Sequence, residues 1–177
     1  MMEPLLKRIE TNIPISVFFY ELQLNIDAYK DEFIDIINKG IEENNNYNYK
    51  TNVLGKMTDW KLFLNNKKFY EVLNIGFKVI KQNLRLKPAY LAEAWGIKID
   101  QGDETLMHDH FESLYSGILY LSDSDLVTFF PEINVRIKPK VGTFLFFSGP
   151  LKHGTEKNTQ EKSKYAIPFN FAESKKF

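Results

Sequence analysis

Ser116-Gly117-Ile118-Leu119-Tyr120-Leu121-Ser122-Asp123-Ser124-Asp125-Leu126-Val127-Thr128-Phe129-Phe130-Pro131 carries the pattern that decides the fold. It reads as a short apolar strand (Ser116–Leu121), a polar turn (Ser122–Asp125) and a second strand (Val127–Phe130) stopped by Pro131. Apolar runs of this length, bounded by Ser, Asp, Gly and Pro, are strands rather than helices. The same texture continues on both sides. Upstream, Tyr90–Ile99 is strand-like and ends at the turn Asp100-Gln101-Gly102-Asp103. Downstream, Val135–Lys138, Thr143–Phe147 and Tyr165–Phe171 are further strands, separated by Pro139-Lys140-Val141-Gly142 and Gly149-Pro150. Many short strands at close spacing predict a β-sandwich or jelly roll.

Before Pro88 the pattern is mixed. Ile15–Leu24 reads as a strand running into a helix start, with Asn25 or Asp27 as the cap. Ile26, Lys30, Phe33 and Ile37 follow at helical spacing, and Gly40 reads as the C-terminal stop. Glu42–Asn48 is polar and Asn-rich, hence an exposed loop. Asn65 or Asn66 can cap a second helix whose buried stripe is Phe69, Leu73, Phe77, Ile80 and Leu84. The expectation is one domain over residues 1–177, in which 1–88 is a mixed helical buttress and 89–177 is the β core. No internal repeat is visible.

Composition narrows the classes of function. In 177 residues, 44% are hydrophobic and 15% aromatic, which supports a real core. Lys+Arg and Asp+Glu are both 23, so the net charge is zero. Nothing draws the chain toward nucleic acid or an anionic membrane, and the tail pair Lys175-Lys176 is too short to do so. With no cysteine, disulfides and thiolate metal sites are excluded, which suits a reducing compartment. Met1-Met2-Glu3-Pro4 does not resemble a signal peptide, and Ile15–Tyr20 is too short to span a bilayer. The expectation is a soluble, cytoplasmic protein.

All three histidines lie in the strand-rich half. Two stand at i and i+2 in Leu106-Met107-His108-Asp109-His110-Phe111-Glu112. In extended chain, residues two apart share a face, so His108 and His110 can aim at one point while Asp109 faces away. His153 follows the Gly149-Pro150 turn and can meet the pair, because a jelly roll brings sequence-distant strands together. Neutral imidazole suits Fe(II), Zn(II), Cu and Ni. Glu112 shares the parity of the pair and Asp109 does not. Either could supply a carboxylate, or the site could have none.

Beyond this spacing, the chain resembles the 2-oxoglutarate/Fe(II)-dependent oxygenases, most closely the phage and bacterial oxygenases related to prolyl hydroxylases. The resemblance covers about Trp95 to Phe171 and, more weakly, Thr51–Trp60. It rests on an ordered set: Trp95; Gly102-Asp103; His108-Asp109-His110; Ser116–Leu121; Pro139-Lys140-Val141-Gly142; Thr143–Phe147; His153; and Lys164-Tyr165-Ala166-Ile167-Pro168-Phe169-Asn170. It implies a mainly β fold with supporting helices, a double-stranded β-helix (jelly roll, cupin-like). It implies Fe(II) on His108 and His153, with His110 standing where the wider superfamily has a carboxylate, either as a third ligand or near the metal. It implies 2-oxoglutarate as cosubstrate, its far carboxylate held by Lys164, where Arg is usual, and by Tyr120. Lys there acts as a point charge and cannot make the two-pronged guanidinium contact. The activity implied is hydroxylation of a protein side chain or small molecule. Two other readings stay open: a cupin-like three-His metalloenzyme that does not use 2-oxoglutarate, and a non-catalytic jelly-roll binding module. Asn170 and Ser148 are candidate liners of the barrel mouth, Phe129, Phe146 and Ile118 candidate apolar liners, and Thr51–Trp60 a candidate lid.

Overall fold

Two strands in the middle of the chain are buried along their whole length, β8 (Tyr115–Tyr120) and β11 (Thr143–Ser148). Such unbroken apolar runs require cover on both faces of the sheet. The computed structural model describes residues 17–43 and 51–174, with the backbone of Leu5–Leu6, and supplies both covers.

The main sheet is antiparallel. Its order is β1 (Leu5–Leu6), β2 (Phe19–Gln23), β11, β8, β13 (Lys164–Glu173), β6 (Ile97–Ile99) and β4 (Lys56–Met57), and β5 (Ala89–Ala94) also pairs with β13. A smaller sheet has the order β10 (Val135–Ile137), β9 (Thr128–Phe130), β12 (Gly154–Thr155). β3 (Val53–Leu54) pairs with β7 (Glu104–Thr105). Most neighbours are distant in sequence, which is the topology of a rolled double sheet.

Alternation along the strands divides the core into two layers. Leu119, Phe144, Phe146, Ile167 and Phe169 face α1 (Lys30–Glu43) and α2 (Lys67–Asn83), packing on Phe33, Ile37, Phe69 and Leu73. Ile118, Tyr120, Leu145, Phe147 and Ala166 face the smaller sheet, packing on Phe130, Val135 and Ile137. A Cβ on Gly117 would collide with the Phe169 ring and the Leu145 carbonyl, so β8 needs glycine there. Gly142 has φ 82°, where L side chains are strained, and closes the turn into β11.

Several elements differ from the sequence expectation. The strand within 15–24 is β2, and it joins the main sheet by pairing with β11 from Gln23↔Thr143 to Phe19↔Phe147. The Asn25 side chain accepts the Asp27 N–H in a turn, so the helix starts only at Lys30. Gly40 is not a stop. It lies inside α1, where a Cβ would come 2.9 Å from Leu62 Cδ2 and 3.0 Å from Thr58 Cγ2. Close packing, not a left-handed turn, selects glycine. Asn66 caps α2, its Oδ1 accepting the Phe69 N–H at 2.9 Å. The stretch 90–99 divides at Trp95-Gly96 into β5 and β6. Residues 1–4, 15–16, 44–48 and 175–176 of the earlier readings lie outside the described residues. Among the described residues no helix is long and apolar enough to cross a membrane.

Candidate metal centre

The three histidines meet where two loops cross. After β7 the chain leaves regular strand. His108 and His153 then form an isolated antiparallel bridge, His108 N–H to His153 O at 3.0 Å and the reverse at 2.8 Å. The His110 N–H donates to Gly149 O at 2.9 Å. Side chains at Gly149 or Gly154 would strike the other loop's backbone. The ring centroids lie 4.9 Å apart for His108–His110, 4.5 Å for His108–His153 and 5.3 Å for His110–His153. One ligand nitrogen of each ring lies within 4.8 Å of the others, the spacing of donors around a single ion.

The protonation of two of these rings is set by the backbone. His108 Nδ1 lies 2.8 Å from Leu106 O, and His153 Nδ1 lies 3.1 Å from Leu151 O. A carbonyl only accepts, so each Nδ1 carries the proton and each Nε2 keeps its lone pair for a metal. Burial holds all three rings neutral. It lowers the His108 pKa, pushes His110 down to about 4 with the help of His108, and holds His153 well below the usual histidine range. A divalent ion needs this neutral state, and three imidazoles without thiolate fit a first-row metal.

The same rings line a cavity of about 50 Å³ that also exposes Tyr120, Thr128 and Lys164. Lys164 begins β13 and is 2% exposed. Its ammonium donates to Leu126 O at 3.3 Å and Thr128 Oγ1 at 3.1 Å, and sits 5.0 Å from the centre of the Tyr120 ring. Among the described residues no carboxylate lies within ion-pair distance of it, and burial pushes its pKa down to about 7. Tyr120 shares a hydrogen bond of 2.7 Å with Thr128, and burial pushes its phenol upward. Ile97, Ile118 and Pro168 add apolar lining. A slim ligand with an anionic end is what this cavity suits.

Neither candidate carboxylate joins the histidines. Glu112 is exposed and lines a separate groove, and Asp109 Oδ1 accepts the Phe111 N–H. Ser148 turns away to accept the Phe18 N–H, Phe146 packs toward the helices, and Phe129 lies under Arg136. Of those apolar liners Ile118 alone reaches the cavity wall. Trp60, from the candidate lid, packs edge-on against Trp95. Trp95 Nε1 is buried with no hydrogen-bond acceptor among the described residues. Sequence reasoning missed Thr128 and Glu93. Ser116, Asn170 and Glu93 form one cross-strand row over β8, β13 and β5. Ser116 Oγ donates to Asn170 Oδ1 at 2.8 Å, and Asn170 Nδ2 donates to Glu93 Oε2 at 2.9 Å. Only the strand register reveals this row.

Fold and site together define a double-stranded β-helix with a three-imidazole pocket. Comparison with solved structures finds the same fold repeatedly. The viral collagen prolyl hydroxylase of Paramecium bursaria Chlorella virus-1, solved with 2-oxoglutarate, superposes with TM-score 0.70 at 15% identity, over 88% of this chain and 96% of that one. A Pseudomonas putida prolyl-4-hydroxylase superposes with TM-score 0.66 at 13% identity, over 89% and 93%. HygX from Streptomyces hygroscopicus, solved with nickel and 2-oxoglutarate, superposes with TM-score 0.64 at 12% identity, over 88% and 83%. At such identities the likeness establishes the shared fold. No family model and no curated protein matches the sequence.

Proposed function

We propose that this chain is an Fe(II)- and 2-oxoglutarate-dependent oxygenase that hydroxylates a protein side chain or a small molecule. The observation that carries the reading is two unlike groups lining one small cavity: the neutral rings of His108, His110 and His153, and the buried Lys164, with no carboxylate at ion-pair distance among the described residues. A keto dicarboxylate matches both, and neighbours of this fold were solved with 2-oxoglutarate. The donor set fits the metal, since His108 and His153 offer Nε2 lone pairs and burial excludes competing protons. Bound Fe(II) would supply activation of O2 and oxidation of a C–H bond. The chain's own residues do the rest. Lys164, steadied by Thr128 and the Tyr120 ring, holds the far carboxylate. The Tyr120 hydroxyl, kept protonated by burial, donates to the same group. Ile97, Ile118 and Pro168 give the cavity an apolar lining that disfavours water.

The histidine segment is bracketed by exposed apolar side chains: Leu106 at 41%, Met107 at 49% and Phe111 at 71%. They favour an uncharged substrate surface over a polyanion. The lack of cysteine suits a reducing, cytoplasmic setting.

The test is anaerobic titration of the Fe(II)-loaded protein with 2-oxoglutarate. A weak visible charge-transfer band should grow in, vanish in His153→Ala and weaken in Lys164→Ala. A wild type that binds iron yet gives no band and no heat of binding with 2-oxoglutarate would sink the reading.

A further inference from the structure

Two of the three imidazoles are set to coordinate, and the third is set against it. His108 and His153 place Nδ1 on carbonyl oxygens, so their Nε2 atoms are free. His110 Nδ1 instead lies 3.4 Å from Asn170 Nδ2. That nitrogen is a donor, and its orientation is locked. Glu93 Oε2, which can only accept, takes one of its protons, while the Ser116 hydroxyl occupies Asn170 Oδ1. His110 Nδ1 must therefore accept, and the neutral ring carries its proton on Nε2. Metal ligands of the usual kind have the opposite arrangement, donating Nδ1–H to an oxygen that orients the ring and raises its basicity. For His110 to coordinate through Nε2, Nδ1–H would have to face an N–H of Asn170. Turning the amide to relieve this would press Asn170 Oδ1 against the Glu93 carboxylate.

We infer that the centre is a two-plus-one site, in which the cross-strand pair Glu93–Asn170 holds His110 as a weak, displaceable third ligand while His108 and His153 bind the metal firmly. Glu93 and Asn170 are positioning residues acting through the His110 ring. The inference rests on the proposed metal site, but the ring tautomer it invokes is a property of the metal-free protein.

Two measurements test it. Long-range ¹⁵N–¹H correlations of the metal-free protein should show His110 as the Nε2–H tautomer and His108 and His153 as Nδ1–H. A His110 Nδ1–H signal overturns the inference whatever the metal does. Second, Ni(II) or Mn(II) dissociation constants are measured by competition. His108→Ala and His153→Ala should lose roughly 100-fold or more, the upper end of what an orienting partner alone contributes, whereas His110→Ala should lose less than about tenfold. Glu93→Gln keeps the shape but lets the Asn170 amide turn, since glutamine both donates and accepts. It should tighten metal binding by about three- to tenfold, and Glu93→Gln/His110→Ala should lose that gain. A purely structural role for Glu93 predicts no gain. His110→Ala losing as much as His108→Ala overturns the inference, as does unchanged affinity in folded Glu93→Gln. Failure of the wild type to bind any divalent ion overturns the proposed metal site itself.

Discussion

Lys164 shows what the site costs and what it gains. Its pKa lies near 7 in the fold against 10.5 in solution, because burial opposes its charge. Between those values the unfolded chain binds a proton that the folded chain does not, so stability rises with pH across that window. The deficit is complete below pH 7, on the order of a few kcal/mol. Lys164→Met should therefore raise the melting temperature at pH 6 and bring little gain at pH 10. The same substitution should weaken 2-oxoglutarate binding to the metal-loaded protein. In the wild type that binding should be level below pH 7 and weaken by up to about tenfold per pH unit above it, as the ligand must bring a proton with it. Lys164→Met should be both weak and pH-independent. Calorimetric titration from pH 6 to 9 decides the matter, and a flat wild-type profile would refute the role of Lys164. At this scale the sequence is legible only where residue type is rare or ordered by motif. Three histidines in 177 residues are easy to single out, and Lys164 and Tyr120 stand out by their order along the chain. Glu93 carries no such mark, since its partner is chosen by β13–β5 register.

Elements were readable in type more than in extent, and the reasons are local. Helix α2 has both a periodic stripe and a side-chain cap, and its start is where Asn66 puts it. Helix α1 has Gly40 near its end, and from sequence a late glycine is a stop signal. The structure gives that glycine a different duty, admitting Leu62 and Thr58 against the helix backbone. The two readings predict opposite outcomes for Gly40→Ala. Propensity alone favours alanine inside a helix by about 1 kcal/mol. Overpacking against Leu62 and Thr58 costs typically 1–3 kcal/mol. Packing should win, because Thr58 is fully buried and its hydroxyl also accepts the Gly96 N–H at 2.9 Å. Gly40→Ala should thus lower the denaturation midpoint without changing metal affinity, and an increase would show that the contact relaxes freely.

On the scale of the whole molecule, the jelly roll brings distant segments to one place, and a metal bound there would be linked to folding. His108 follows β7, His153 precedes β12, and only the crossing of their loops brings the rings together. The β pattern foretold that sequence-distant strands would meet, but not that the bridge would fall on the two histidines themselves, because irregular segments carry no periodicity. The unfolded chain separates these rings, so a metal held by both binds mainly the native state and stabilises it. At a free metal concentration 100 times its dissociation constant, the gain is about 2.7 kcal/mol. For a domain of this size that is a rise of roughly 5–10 °C in melting temperature. Thermal unfolding with and without Mn(II), a redox-stable stand-in for Fe(II), should show it. The rise should disappear in His153→Ala, while Lys164→Met should keep it, since Lys164 is not one of the three clustered imidazoles. Equal shifts in wild type and His153→Ala would mean that the ion binds elsewhere, and the loop crossing would then be a structural junction alone.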